Sequence, residues 1–320
     1  MCIHDHHADE TAVKPEVKDM LTKRRLIQGL AAGGALTVAA PALTACSTNP
    51  ETGARQFTGL ASDAQLNQMA AQSWAEAKQA EPVSRDPRYT NRLKNIGSRI
   101  ARGANKSKER WDYAVFDKDT KNAFVLPGNR VGFYKGMMDF AQTDDQIAAV
   151  MGHEVGHVTG RHAAERVSMN MAGQLAVVGG SVIGASQMSK SCNKYQDARQ
   201  RNACLSSANQ KAAMLNQALG LGFMLGIALP YSRNHESQSD LLGAKYMYRA
   251  GYDPYQAVRL WEKMAENSPS RQPEFLSTHP DPSNRARDLH NYIKCQERMG
   301  SQGWQNMTLK DELQACQTGV

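Results

Sequence analysis

Hydrophobic positions recur at helical spacing through most of the chain and shorten into brief β-type runs before its middle. From Ser62 to Ala80, Leu66, Met69, Ala70 and Trp74 fall on one face of an Ala- and Gln-rich stretch, which predicts an amphipathic helix. Leu93, Ile96 and Ile100 predict a second between Tyr89 and Ala104. The pattern then changes. Trp111 to Phe116, Ala123 to Leu126 and Val131 to Tyr134 read as short strands, the last two joined by a Pro127-Gly128-Asn129 turn. Thr143 next offers an N-cap with Gln146 in capping-box position, and Asp144 and Asp145 suit the positive end of a helix. In that helix Ile147, Met151, Val155 and Val158 keep near-helical spacing.

Two stretches rich in Ala, Gly, Leu and Met, roughly 171–188 and 212–229, flank a polar segment that contains Cys192 and Cys204. Each approaches the length that spans a bilayer, but Gln174, Gln187, Asn216, Gln217 and several glycines dilute the signal. The expectation for 168–230 is a helical hairpin over a catalytic cleft, with a membrane-inserted hairpin as the alternative. The rest reads as helical: 234–250 stops at Gly251, Asp253-Pro254 opens a helix containing Val258, Trp261 and Met264, and Asp281-Pro282 opens the last. The expected fold class is α+β, mainly helical, with one small sheet whose edge strand borders the cleft. No internal repeat is evident.

Composition narrows the class. In 320 residues, 41% of them hydrophobic, there is enough apolar material for a sizeable core. The formal charge of +7 is spread over predicted helices instead of collecting in a run, which argues for a solvated basic surface and against nucleic acid.

At the N-terminus, Lys23, Arg24 and Arg25 precede an apolar segment interrupted by Gly29, Gly33, Gly34 and Pro41, which ends in Leu43-Thr44-Ala45-Cys46. This is the layout of an export signal, 1–45, with the true start at Met1 or Met20, and the ending resembles a lipobox. Cys46 is then the lipidated residue; by resemblance to Gram-negative lipoproteins the non-acidic Ser47 after it implies the periplasmic face of the outer membrane, and polar 47–60 is a tether. An exported chain forms disulfides, and Cys192, Cys204, Cys295 and Cys316 are even in number. Three pairings are possible. The local one joins Cys192 to Cys204 and Cys295 to Cys316, the latter stapling a tail at 296–320.

The chemistry lies on the helix that Thr143 caps. His153-Glu154-Val155-Gly156-His157 sets two imidazoles one helical turn apart, able to converge on one zinc ion, with Glu154 beside them as a general base for water. Glu236 stands on another predicted helix as third ligand, and Asp240, one turn later, can hydrogen-bond a ligand imidazole. His235 points about 100° away from Glu236 on that helix and is expected in solvent. His162 and His290 are read as structural.

These residues carry a resemblance. The stretches NAFVLPGNRVGFYKG (122–136), HEVGHVTGRH (153–162), YSRNHESQSD (231–240) and STHPDPSNR (277–285) resemble the zinc metallopeptidases that include the CAAX prenyl endopeptidase and the heat-shock membrane protease, in their periplasmic lipoprotein branch. The resemblance implies a gluzincin-type core over 61–295 and one Zn2+ per chain. It also implies a strand at Asn122, Ala123 and Phe124 that holds substrate by backbone pairing, His279 facing the zinc and Arg285 nearby as a second positive group. The implied substrates are unfolded or misassembled envelope proteins, with the outer-membrane assembly machinery as a partner.

Two functions follow. One is an endopeptidase that clears misassembled envelope proteins; the other is an outer-membrane assembly chaperone with latent proteolysis. A purely structural zinc site is disfavoured because such sites close with Cys ligands and four protein donors.

Overall fold

The computed structural model describes residues 46–223, 229–266, 282–300, 303–304 and 307–318. In order these form β1 (Cys46–Thr48), β2 (Arg55–Phe57), α1 (Asp63–Ala80), α2 (Pro87–Gly103), β3 (Asp112–Phe116), β4 (Ala123–Leu126) and β5 (Arg130–Tyr134). They continue with α3 (Lys135–Ala141), α4 (Asp144–Thr159), α5 (His162–Lys190), α6 (Ala198–Phe223), α7 (Leu229–Arg249), α8 (Tyr255–Glu266), α9 (Pro282–Arg298) and α10 (Leu309–Thr318). The chain is mainly helical with small sheets, and its contacts divide into two compact units.

The larger unit contains Thr48–Ala54, Ala61–Val167 and the chain from Ala228 onward. Its sheet has the order β3-β5-β4, with β3 parallel and β4 antiparallel to β5. Alternation along the strands gives it two apolar faces. Val115, Ala123, Val131 and Phe133 enter the main core with Leu93, Ile96 and Ile100 of α2 and with α4. Ala114 and Phe116 on the other face pack on Trp74 of α1, joined by Phe124 and Tyr134. Gly132 is required there, because a Cβ at that position would run into the Phe124 ring. Each large side chain buried in these layers contributes roughly 1.5–3 kcal/mol.

The N-caps follow the local sequence with one difference. Thr143 accepts from the Gln146 amide at 3.2 Å, but the Gln146 side chain turns to Gln256. The reciprocal box forms at Ser62 and Gln65 instead. Helix α4 is buried almost all round, from Ile147 through Val155.

Segment 47–60 is not an extended tether. It carries β1 and β2, and Asn49, Thr52, Gln56 and Thr58 are buried. Asn49 donates to the Thr159 carbonyl at 2.9 Å and accepts from the Glu51 and Thr52 amides. The Glu51 and Thr52 carbonyls in turn take the Leu309 and Lys310 amides of α10. Polar composition here reflects hydrogen bonds made to distant backbone, which spacing along the chain does not reveal.

The C-terminal residues are likewise part of the core. Cys295 and Cys316 are joined, and Trp304 and Leu309 are buried. Lys245 on α7 meets Glu312 on α10 at 2.6 Å with both side chains fully enclosed, while Tyr292 donates to Glu312 at 2.7 Å.

The described part of the smaller unit holds 46–47, 55–60, and the hairpin of α5 from Ser168 with α6. Leu219 and Leu215 of α6 lie against Gly180 and Gly184 of α5, so the helices run antiparallel, and a Cys192–Cys204 disulfide closes their connection. By length and composition, α5 with the short turn after it is the one helix among the described residues that could cross a membrane. Its Leu175, Val178 and Val182 are exposed.

Candidate metal centre

The site exists because α4 and α7 cross with their backbones nearly touching. A Cβ added at Gly152 would lie 2.9 Å from the Gly243 carbonyl oxygen, and one at Gly156 would lie 2.8 Å from that of Ser239. With Gly152, Gly156, Ser239 and Gly243 at the crossing the helices close up, and the Glu236 carboxylate reaches over the two histidines of α4.

The three groups then form a triangle. His153 Nε2 and His157 Nε2 are 3.1 Å apart, and Glu236 brings Oε2 to 3.3 Å from the first and Oε1 to 3.4 Å from the second. Tetrahedral zinc with bonds of about 2.1 Å sets its ligand atoms about 3.4 Å apart, so the donor set fits that ion as it stands. All three side chains are buried. Charge points the same way. Glu154, Glu236 and Asp240 are buried carboxylates with Arg285 as the buried guanidinium beside them, which leaves two negative charges for a divalent cation among the described residues. Burial pulls the His153 imidazole down, but hydrogen bonds and charge from Asp240 and Glu236 outweigh it and hold the value at about 9. The pocket therefore favours a cation.

Behind the triangle, Asp240 accepts from His153 Nδ1 at 2.8 Å and takes both arms of the Arg285 fork, at 2.6 and 2.7 Å. The Arg285 guanidinium also lies 4.3 Å from the Trp261 ring centre. Burial pushes the Asp240 carboxyl up, but the Arg285 charge and hydrogen bonds outweigh it and hold that carboxyl below the usual range. Arg285 Nη1 also lies 3.8 Å from Glu236 Oε2, so the guanidinium stands beside the triangle as well as on Asp240. The bidentate geometry fixes the Asp240 plane and so the His153 ring.

His157 is held differently. Its Nδ1 is 2.9 Å from Nδ1 of His162, whose Nε2 lies 3.1 Å from Gln238 Oε1. His162 stacks on His235 at 4.2 Å, and His235 Nε2 lies 3.0 Å from Glu165 Oε2. His235 is therefore not solvated. Burial, with the charge of Arg166, brings its value down to about 4. Helical spacing does not reveal either role: His162 follows the end of α4, where the chain changes direction, and His235 on α7 is covered by His162 and Glu165 of α5.

Of the other expected site residues, Glu154 sits buried on α4 between the two ligands. Asn122 is buried just before β4, with its Oδ1 taking the Ala123 amide at 2.9 Å. Strand β4, containing Ala123 and Phe124, is an edge of its sheet. The Tyr134 amide donates to the Asn122 carbonyl, so by antiparallel alternation the backbone of Ala123 and Val125 faces outward along that edge. His279 lies outside the described residues.

A family model described as Peptidase family M48 matches residues 87–293, the span from α2 into α9 that holds every one of these groups. This chain belongs to Peptidase family M48. The M48 chain is similar to the mitochondrial metalloendopeptidase OMA1 of Schizosaccharomyces pombe, 30% identical over 63% of this chain and 52% of that protein. It is also similar to the beta-barrel assembly-enhancing protease of Escherichia coli, 26% identical over 84% of this chain and 52% of the relative. The M48 chain thus spans about half the length of the curated relatives it matches.

Proposed function

We propose that this chain is a zinc-dependent endopeptidase of the bacterial cell envelope, of the periplasmic lipoprotein branch, that cleaves misfolded or misassembled envelope proteins. The observation that carries the reading is the buried triangle of His153, His157 and Glu236, with ligand-atom separations that suit tetrahedral zinc. Zinc held there supplies Lewis acidity toward a water and a peptide carbonyl. Glu154 takes the water proton on a carboxylate oxygen and passes it to the leaving amine nitrogen. Asp240 and Arg285 keep His153 in one ring orientation throughout. An extended substrate pairs with the outward Ala123 carbonyl and the outward backbone of Val125, so recognition depends on strand conformation more than on sequence, as suits unfolded substrates.

The envelope setting rests on the signal-like segment ending in Leu43-Thr44-Ala45-Cys46 and on the two disulfides. The Cys46 sulfur is disulfide-bonded in this structure. Lipidation forms a thioether from the free thiol of Cys46, so the anchored form is one in which that disulfide has not formed.

A second reading, assembly of outer-membrane proteins with little cleavage, is favoured by the similarity to the beta-barrel assembly-enhancing protease of Escherichia coli. One experiment separates the two. Zinc content per chain and cleavage of an unfolded model protein are measured for the parent and for Glu154→Gln. Zinc near one per chain in both, with cleavage in the parent alone, supports the peptidase. Envelope function that survives Glu154→Gln supports the assembly role, and absence of zinc from the parent overturns the site.

A further inference from the structure

His153 has a carboxylate behind it, whereas His157 has a third histidine. His162 reaches that place by an unusual path. Helix α4 ends at Thr159, Gly160 follows, and Arg161 adopts φ +55°, a left-handed conformation that costs a side chain of this size. On a continuous helix His162 would stand about 140° round from His157. The reversal returns it to the same side. Gly160 leaves the space, since a Cβ there would strike the His162 ring. Arg161 is held in its turn by Asp63 of α1, at 2.6 Å.

The contacts of the His162 ring form an ordered chain. If His157 ligates through Nε2, the nitrogen that faces His153 and Glu236, its proton must sit on Nδ1. That proton is donated to His162 Nδ1 at 2.9 Å. His162 then carries its own proton on Nε2 and donates it to Gln238 Oε1 at 3.1 Å, while Ser239 Oγ stands 3.2 Å from the accepting Nδ1. The flat face of His162 is stacked on His235 at an interplanar angle of 11°, and Glu165 holds His235 in turn. Both nitrogens and one face of the ring are thus engaged, by α4 and by α7, the helix that also supplies Glu236.

We propose that His162 is a positioning residue of the metal centre: by accepting from Nδ1 of His157 it fixes the tautomer and ring plane in which His157 binds zinc. This rests on the reading of His153, His157 and Glu236 as ligands. The two imidazole ligands therefore have unlike supports, a charged Asp240–Arg285 pair for His153 and a neutral histidine–amide chain for His157. A carboxylate partner raises the basicity of its ligand more than a neutral imidazole does. His157 is accordingly the weaker donor, and His162 supplies orientation in place of charge.

The test uses the full chain and zinc ion, with affinity read by competition against a chelator. Equal zinc affinity in the parent and in Glu236→Ala overturns the ligand assignment itself. With Glu236 dependence established, His162→Phe, which keeps a ring against His235 but cannot accept, is expected to weaken zinc binding 10- to 100-fold. His162→Asn, whose Oδ1 can accept near the original Nδ1, is expected to restore affinity to within about threefold of the parent. Parent-like affinity in His162→Phe, or no recovery in His162→Asn, overturns the inference while leaving the zinc site intact. Long-range proton–nitrogen correlation spectra of the zinc-loaded parent give an answer that needs no variant. Protons on His157 Nδ1 and His162 Nε2 are expected, and a proton on His162 Nδ1 overturns the proposal.

Discussion

Replacing Gly156 by Ala tests whether the helix crossing, and not the histidine motif alone, builds the metal centre. The added Cβ would lie 2.8 Å from the carbonyl oxygen and 2.9 Å from the Cα of Ser239. Both are backbone atoms, so no rotamer can relieve the contact, and α4 and α7 must separate by about 0.6 Å to reach an ordinary 3.4 Å approach. A metal site tolerates about 0.2 Å in its ligand distances, so a shift of this size on one side of the triangle exceeds what zinc accepts. Stability changes less: Ala in place of Gly gains about 1 kcal/mol of helix propensity, against about 1–3 kcal/mol for overpacking. The expected outcome is a loss of zinc affinity of tenfold or more with a melting temperature within a few degrees of the parent. Chelator competition and thermal unfolding of the metal-free chain measure the two effects. Gly179→Ala, where nothing lies within 4 Å of the new Cβ, serves as control and leaves zinc binding unchanged. Gly156→Ala binding zinc as tightly as the parent would refute the claim that this crossing sets the position of Glu236.

Three further predictions concern single groups. Asp240→Asn removes the charge that pairs with buried Arg285, and should cost about 3–5 kcal/mol in denaturant unfolding of the metal-free chain and 10- to 100-fold in zinc affinity; a loss below 1 kcal/mol would show that Arg285 is satisfied elsewhere. Glu312→Gln strands the enclosed Lys245 ammonium and should destabilise by about 3–5 kcal/mol, with much of the loss recovered in Lys245→Met/Glu312→Leu; a double variant no more stable than the single one contradicts this. Glu154→Gln should keep zinc at parent stoichiometry while lowering cleavage of an unfolded protein at least 100-fold, and residual cleavage above a tenth of the parent rate would place the general base elsewhere.

The helical class, the short strands, the Thr143 cap and the metal-binding motif are all legible in the amino-acid sequence. Each of these depends on groups within one or two helical turns, where side-chain type and spacing suffice. His153, Glu154 and His157 are of this kind. Turn spacing on a second helix adds Glu236 and Asp240, and the resemblance adds the pairing role of the strand at Asn122, Ala123 and Phe124.

The remaining features depend on contacts between segments far apart in the chain. Segment 47–60 looked like a tether because its hydrogen-bond partners, Thr159, Leu309 and Lys310, lie more than a hundred residues away. Arg285 became the fork on Asp240 only once α9 met α7. His162 and His235 changed from bland histidines into the support of His157 because Arg161 turns the chain back at the end of α4. Helical periodicity ends where a helix ends, and the close approach of Gly156 to Ser239 is a relation between two backbones that no single stretch of sequence contains.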